Sequence, residues 1–410
     1  MVRSLKPTLA VLMLLLASTA APGSQQAQDL TLRLALDLAN RQNLDLSAAR
    51  NRRAVSDAGI TIAKRHPNPA LNVVPGQRNL PHEGVFVDLP LEIGGQRSRR
   101  VGVALEERQL TDVEIRALER QIRQQTRGAF YGLAYARART NQLEQIVKLA
   151  QRLSQIAQER YAAGDVPQIE VIQANLEVAR AQTNAQVAHE REKVALSQLN
   201  ALLNEPASTD WRLAGSLEDT LPNVDLSDLI AQAEDHNDNL VHLEQEEKVE
   251  ASRLRLVKSE RIPNLDLQFG SDFNAPGQYN AGPRSMFSLT IPLFYRNQGE
   301  IAQSLANQQV LSGQVAAARR SVAAQVEAAY YELAADRGQV DKYKTTLLPS
   351  AHTLESMAEA SYQEGKTGIL YVLEAQRNVQ QVEAEYLNSL LALQDAFAVL
   401  EETVGATLDR

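Results

Sequence analysis

The sequence contains no cysteine. Disulfide bonds are therefore excluded, so packing or assembly has to stabilise the fold. A lipid anchor on an N-terminal cysteine is excluded as well. Glycine is sparse and aromatic residues make up only 5%, while Ala, Gln, Glu, Leu and Arg predominate, which is typical of long helices. No break in composition marks a boundary between globular domains.

Basic clusters and catalytic motifs are also missing. The net charge is −8 and no basic face or arm emerges, which argues against nucleic acid as a partner. There is no complete phosphate-binding loop, no Gly-x-Ser-x-Gly elbow and no His-Glu-x-x-His motif, so the sequence predicts neither an enzyme nor a cofactor. The six histidines are scattered without a His-x-x-x-His pair, and no set of metal ligands is visible.

The first 20 residues are predicted to be a signal peptide. Arg3 and Lys6 precede an apolar run at 9–17, and small residues at 18–20 place the cleavage after Ala20. A retained membrane helix is the alternative, but the run is shorter than the roughly 20 residues that span a bilayer. No other segment is apolar enough for such a helix. Any insertion into a membrane therefore has to be made by strands.

One stretch of the chain occurs twice, half a chain apart. A shift of 201 residues superposes Tyr161 on Tyr362, Gly164 on Gly365, Val171 on Val372 and Ala174 on Ala375. Because glycine ends helices without steric penalty, each Tyr-x-x-Gly between long helical patterns predicts a helix-turn-helix tip. Two such tips at this spacing predict a duplicated architecture.

Each half contains one very long helical pattern between two shorter ones. At 1.5 Å per residue the long helices would span about 100 Å and the shorter ones about half of that. The short pair can therefore stack end to end beside the long helix in an extended column. An interruption of the first helix is expected at 40–43, a break or kink at Pro349, and a flexible leader at 21–29. The predicted helices cover 30–65, 98–163, 168–203, 226–261, 298–364 and 369–403.

Between the first and second helix of each half, apolar and polar residues alternate with period two. This predicts β-hairpins at 70–93 and 264–294, the second with a loop at 274–284. Odd positions are apolar and even positions polar, as in strands with lipid outside and water inside. Asp88, Asp266 and Gln268 would then face a lumen.

Four strands cannot close a membrane barrel, because the smallest such barrels use eight. Open strand edges cannot lie in hydrocarbon, where each unpaired backbone group costs several kcal/mol. If these strands cross a membrane, several chains must share one barrel. The alternative is a soluble protein in which the two hairpins cover a core.

With these features the chain resembles the TolC-type outer-membrane factors, over nearly its whole mature length. The resemblance rests on the duplication, the Tyr-x-x-Gly tips and the strand-exit prolines Pro90 and Pro292. Residues 89–97 resemble the heavy-metal (CzcC-like) branch. The family implies a mainly α fold with a small β part. Duplicated long-helix hairpins form an α-barrel, and the two β-hairpins contribute to a trimeric, twelve-stranded β-barrel.

The resemblance also implies a division of the chain and a location. The signal peptide 1–20 is followed by a first repeat at 21–205, an equatorial linker at 206–226 and a second repeat at 227–410. The homotrimer would sit in outer-membrane lipid and extend into the periplasm of a Gram-negative bacterium. Its tips would face the periplasmic adaptor of an inner-membrane pump of the RND type.

Site residues follow from the same resemblance. Glu374 matches the acidic position at which family members narrow the pore, whereas Tyr371 stands where a second acid is common. Glu170 of the first repeat is therefore included in the predicted periplasmic gate. The predicted adaptor-docking residues are Gly164, Asp165, Val166, Gly365, Lys366 and Thr367.

The sequence thus predicts a passive exit duct of a tripartite efflux system, with metal cations as cargo. Two alternatives stay open. The duct could instead serve drugs or type I protein secretion, or the chain could be a periplasmic coiled-coil adaptor. An adaptor has one helical hairpin and a small β-rich domain, whereas this chain has duplicated halves and alternating strands.

Overall fold

A computed structural model describes residues 28–76, 83–275 and 279–408; the predicted signal peptide lies outside them. Helices dominate this part of the chain. The first repeat contains β1 (Gln28–Leu30), α1 (Leu32–Gln42), α2 (Leu44–Ala63), β2 (Ala70–Val74), β3 (Glu83–Leu91), α3 (Gln96–Ala162) and α4 (Gln168–Leu203). After β4 (Trp211–Leu213) come α5 (Leu226–His236), α6 (Asp238–Ser259), β5 (Leu265–Ala275), β6 (Tyr279–Leu289), α7 (Gln298–Lys342), α8 (Leu348–Gln363) and α9 (Ile369–Val404).

The longest helix, α3, has 67 residues and would span about 100 Å at 1.5 Å per residue. It packs against α4 towards the tip and against α2 and α6 towards the sheet. In the second repeat α7 packs against α6 and α9. The column of stacked short helices beside a long one is therefore observed. None of the described helices combines the length and apolar character needed to cross a membrane.

Two asparagines divide the short helices. Asn43 caps α2 by accepting the Leu46 N–H at 3.1 Å, and Asn237 caps α6 by accepting the Leu240 N–H at 3.1 Å. The first break falls within the expected 30–65 helix at the predicted place. The second was not predicted, because 226–261 was expected to be continuous. An asparagine side chain competes for backbone N–H groups, so it ends one helix and starts another.

At Pro349 the chain stays helical. A single π-helical turn at Tyr343–Leu347 joins α7 to α8, so the predicted interruption takes the form of a widened turn. Proline has no N–H to donate, and its ring crowds the carbonyl four residues earlier. A wider turn before Pro349 accommodates both the missing N–H and the crowding by the ring. Such π-helical turns occur as single-turn insertions in otherwise regular helices.

The main core lies at the middle of the column. Phe130, Leu133 and Leu199 of α3 and α4 are fully buried, and Trp211 of β4 packs among them. β4 pairs in parallel with β1, Leu30 opposite Leu213. The expected flexible leader is therefore wrong at 28–29, which lie in β1. A pairing across some 180 residues leaves no local pattern in the sequence.

The second sheet contains four antiparallel strands in the order β2-β3-β5-β6. The loop expected at 274–284 is largely wrong, because β5 runs to Ala275 and β6 starts at Tyr279; residues 276–278 lie outside the described part. β6 also ends at Leu289, before the expected end of the hairpin. Pro283 suggested a loop, but it lies in β6, the last strand of this sheet, where proline is tolerated.

Candidate functional site at the paired helix tips

Both tips end their helices by the same backbone arrangement. Gly164 and Gly365 have φ angles of 81° and 73°, a left-handed conformation that glycine adopts without a Cβ penalty. The Asp165 N–H donates to the Arg160 carbonyl and the Lys366 N–H to the Ser361 carbonyl, both at 2.9 Å. These are the hydrogen bonds of a Schellman motif, so the two sequence copies build two copies of one turn.

The two tips pack against each other through an apolar cluster. It consists of Leu153, Ala157, Ala174, Tyr362, Ile369, Val372 and Leu373. The repeated tyrosines differ in this arrangement, because Tyr362 is 1% exposed whereas Tyr161 is 46% exposed. The duplicated sequence therefore produces an asymmetric pair of tips.

Polar contacts around Tyr362 also join the tips. The Arg160 guanidinium lies 4.7 Å from the centre of the Tyr362 ring and donates to the Tyr362 carbonyl at 3.2 Å. The Tyr362 hydroxyl donates to Glu170 at 3.4 Å. Burial, followed by the nearby Glu170 charge, raises the pKa of Tyr362. The tyrosine is therefore held as a neutral donor between α3 and α4.

The predicted docking residues are not equally accessible. Gly164, Asp165, Gly365 and Lys366 are exposed, whereas Val166 is buried and Thr367, its counterpart, is half-buried. Lys366 pairs with Glu364. The accessible part of each tip is therefore the glycine and the charged residue that follows it, with opposite charges on the two tips.

The predicted gate residues fall into two groups. Tyr371 and Glu374 are exposed and lie three residues apart on α9, hence on one face of the helix. Glu170 is half-buried and contacts Tyr362 instead. The structure thus places Tyr371 and Glu374 together and Glu170 in the contact between the tips.

The even-numbered face of the four-stranded sheet carries a hydrogen-bonded polar network. Asp88 accepts from Gln268 at 2.7 Å and from Asn72. Asp266 lies on the same face, opposite Pro90 on β3.

A second group on this face was missed from the sequence. Asp272 pairs with Arg284 at 3.5 Å, and the Arg284 guanidinium lies 5.6 Å from the centre of the Phe86 ring. The only signal in the sequence was the alternation of polar residues at even-numbered positions, which continues through Arg284. The loop expected at 274–284 concealed it.

The odd-numbered face is apolar and exposed. It includes Leu71, Val73, Val85, Val87, Phe269, Phe287 and Leu289, each more than 40% exposed. An apolar outer face opposite a polar inner face is the pattern of strands between lipid and water.

Comparison with known proteins assigns these features to a family. The sequence model of the outer membrane efflux protein family matches residues 35–205 and 229–406. The chain belongs to this family. The resemblance to the TolC-type factors is confirmed. The protein is an outer-membrane efflux channel protein that extends into the periplasm.

Individual members of the family are similar over nearly the full length. The cobalt-zinc-cadmium resistance protein CzcC of Cupriavidus metallidurans is 27% identical over 93% of this chain and 91% of its own. The solved structure of CusC has a TM-score of 0.79, with 16% identity and 93% coverage of both chains. VceC of Vibrio cholerae has a TM-score of 0.75, with 16% identity over 92% of this chain and 97% of its own. The mainly α fold with a small β part is thereby confirmed.

Proposed function

We propose that three copies of this protein form one passive exit duct for divalent metal cations, coupled through a periplasmic adaptor to an inner-membrane pump of the RND type. The similarity to a cobalt-zinc-cadmium resistance protein over 93% of the chain carries the metal assignment. The proposal includes cleavage of the signal peptide 1–20 and two repeats, 21–205 and 227–410, joined by the linker 206–226. The two family matches support this division.

The open edges of the sheet support a trimer. Within the described part of the chain, β2 and β6 each pair on one side only, and unpaired edges are not tolerated in hydrocarbon. Three four-stranded sheets joined edge to edge give twelve strands and leave no edge. None of the described residues covers the apolar face of α4, which would pack on a neighbouring copy. It contains Ile169, Ile172, Leu176, Val187 and Val194, each more than 40% exposed.

Charge on the even-numbered face supports a cationic cargo. Asp88, Asp266 and Asp272 oppose the single charge of Arg284 among the described strand residues of this face. Three negative charges and one positive charge leave −2 for each chain, or −6 for three. Acidic rings favour cations in a pore. Glu374 and Tyr371 are exposed on α9, shortly after the Gly365 tip, and would narrow the periplasmic end of the duct. Glu170 would hold the two tips together.

The test is deletion of the gene followed by growth on cobalt, zinc, cadmium, dyes and antibiotics. Loss of metal resistance alone, restored by the wild-type protein, is the expected result. A paired variant, Asp88→Asn with Asp266→Asn, is expected to restore metal resistance only in part. Matched replacement of the exposed helical residues Asp235 and Glu190 by their amides controls for charge. Sensitivity to dyes or antibiotics alone would refute a metal cargo, and a detergent-free monomer would refute the channel.

A further inference from the structure

A band of basic side chains surrounds the helical end of the four-stranded sheet. There α2 and α6 end, and α3 and α7 begin. Gln96 donates to the Ile262 carbonyl at 2.7 Å and Asn297 to Glu260 at 3.5 Å, so these ends lie side by side. We call the band the basic collar: Lys64, Arg65, Arg97, Arg99, Arg100, Lys258, Arg261 and Arg296. In a chain of net charge −8, eight such residues at one level are a concentrated positive patch.

Among the described residues, three carboxylates lie at the same level, those of Glu92, Glu260 and Glu300, so five of the eight positive charges remain uncompensated. Arg100 pairs with Glu92, while Arg97 and Arg296 donate only to the backbone carbonyls of Lys64 and Pro292. The remaining five are exposed, and no carboxylate among the described residues forms a salt bridge with them; they are Lys64, Arg65, Arg99, Lys258 and Arg261. The collar therefore presents free cations to its surroundings.

Helix stability explains only part of the collar. Cations stabilise the C-terminal end of a helix, where Lys64, Arg65, Lys258 and Arg261 lie. The same dipole disfavours cations at an N-terminal end. Nevertheless α3 begins with arginines at positions 97, 99 and 100 and has no acidic residue in its first turn. An anion bound from outside the protein would explain the basic residues at both kinds of helix end.

Exposed apolar side chains lie beside the collar. Phe294 is 95% exposed, and Leu293, Ile93 and Ile262 are between 47% and 66% exposed. All four lie in the short connections between the strands and the helix ends that carry the collar. An apolar band that ends in aromatic and basic residues is the composition of a membrane–water interface.

We propose that the basic collar binds the phosphate headgroups of anionic glycerophospholipids in the periplasmic leaflet of the outer membrane. The collar lies at the end of the sheet from which the helices extend, so it meets the leaflet on the periplasmic side. Phe294 and its neighbours enter the boundary between headgroups and acyl chains. The site depends on the outer-membrane location alone and is independent of the cargo.

The test measures lipid binding to the purified full-length protein in a neutral detergent by native mass spectrometry. Phosphatidylglycerol and phosphatidylcholine with the same acyl chains are compared, so that only the headgroup differs. The variant Arg99→Gln/Lys258→Gln/Arg261→Gln removes three collar charges. The control Lys148→Gln/Arg152→Gln/Arg320→Gln removes one lysine and two arginines from exposed helical positions away from the collar.

The wild type and the control are expected to bind phosphatidylglycerol in preference to phosphatidylcholine. Each basic residue near an anionic surface contributes about fivefold to binding, so Arg99→Gln alone should reduce the preference for phosphatidylglycerol about fivefold and the triple collar variant about a hundredfold. The preference should also fall between about 0.1 M and about 1 M salt, as the Debye length shortens from about 10 Å to about 3 Å. Equal binding of both lipids by the wild type, an equal loss in the control, or stronger binding of lipid A would overturn the proposal.

Discussion

Substitution of Gly365 by aspartate separates a docking role of the tip from a folding role. A non-glycine residue in the left-handed conformation costs about 1–2 kcal/mol, and aspartate is among the residues that adopt it most readily. A Cβ at Gly365 would meet only the Arg160 guanidinium, at 3.9 Å. The expected cost is therefore about 1 kcal/mol, against a typical total stability of about 5–15 kcal/mol.

Gly405 provides the matched control, because it ends α9 with a similar φ of 75°. A Cβ there would lie 2.0 Å from the His236 carbonyl oxygen and 3.1 Å from the Asn237 Cα. This backbone cannot move without displacing the start of α6. Gly405→Asp is therefore expected to prevent assembly, whereas Gly365→Asp is expected to leave it intact.

Heat-resistant trimer on semi-native gels of outer membranes measures assembly, and growth on cobalt, zinc and cadmium measures export. For Gly365→Asp we expect normal trimer and abolished export, because the new charge lies beside Lys366 at the accessible end of the tip. Normal trimer together with unchanged export would refute the docking role. Loss of the trimer would show that Gly365→Asp destabilises the fold by more than the free energy of about 1 kcal/mol expected from the structure.

Three further substitutions test the structure. Gly270→Val should prevent barrel assembly, because even a Cβ at Gly270 would lie 2.1 Å from the Val85 carbonyl oxygen and 2.5 Å from the Phe86 ring; an assembled, heat-resistant trimer would contradict the register. Asn200→Ala should lower the free energy of unfolding by about 1–3 kcal/mol in denaturant titrations, because the Trp211 indole N–H donates to Asn200 at 2.7 Å and would be left buried and unpaired. Burial and then Glu359 raise the pKa of Glu355, so the folded state binds this proton more tightly than the unfolded state and loses stability as the pH rises through the interval between the two pKa values. Glu355→Gln should therefore raise the unfolding temperature more at about pH 8 than at about pH 5, and an equal effect at both would contradict this assignment.

Several features were predictable because each depends on local chemistry. A Tyr-x-x-Gly between helical patterns predicts a turn, since glycine alone adopts the left-handed conformation freely, and both turns are present at Gly164 and Gly365. The bounds of α4, predicted at 168–203, agree with the structure. Glycine and proline between residues 274 and 284 led to the wrong prediction of a loop, because the effect of these residues on a strand depends on the position of the strand in the sheet.

The candidate site was predictable only in part. The sequence pointed to both tips but could not reveal that Tyr362 is buried between them while Tyr161 is exposed. It identified Asp88 and Gln268 as residues of one face, but their hydrogen bond depends on the pairing of β3 with β5, which are about 180 residues apart. Glu170 and Glu374 had the same predicted role, yet only Glu170 contacts the other tip.

The sequence by itself determined the duplicated plan, the bounds of α4, the strand faces and the membership of a channel family, because periodicity and turn chemistry act over a few residues. Only the tertiary structure decided which strands pair, which copy of a repeated residue is buried and where the charges gather. The collar illustrates the difference. Its eight basic residues stand in four separate segments of the chain, and they become one surface only because four helix ends meet at the same edge of the sheet.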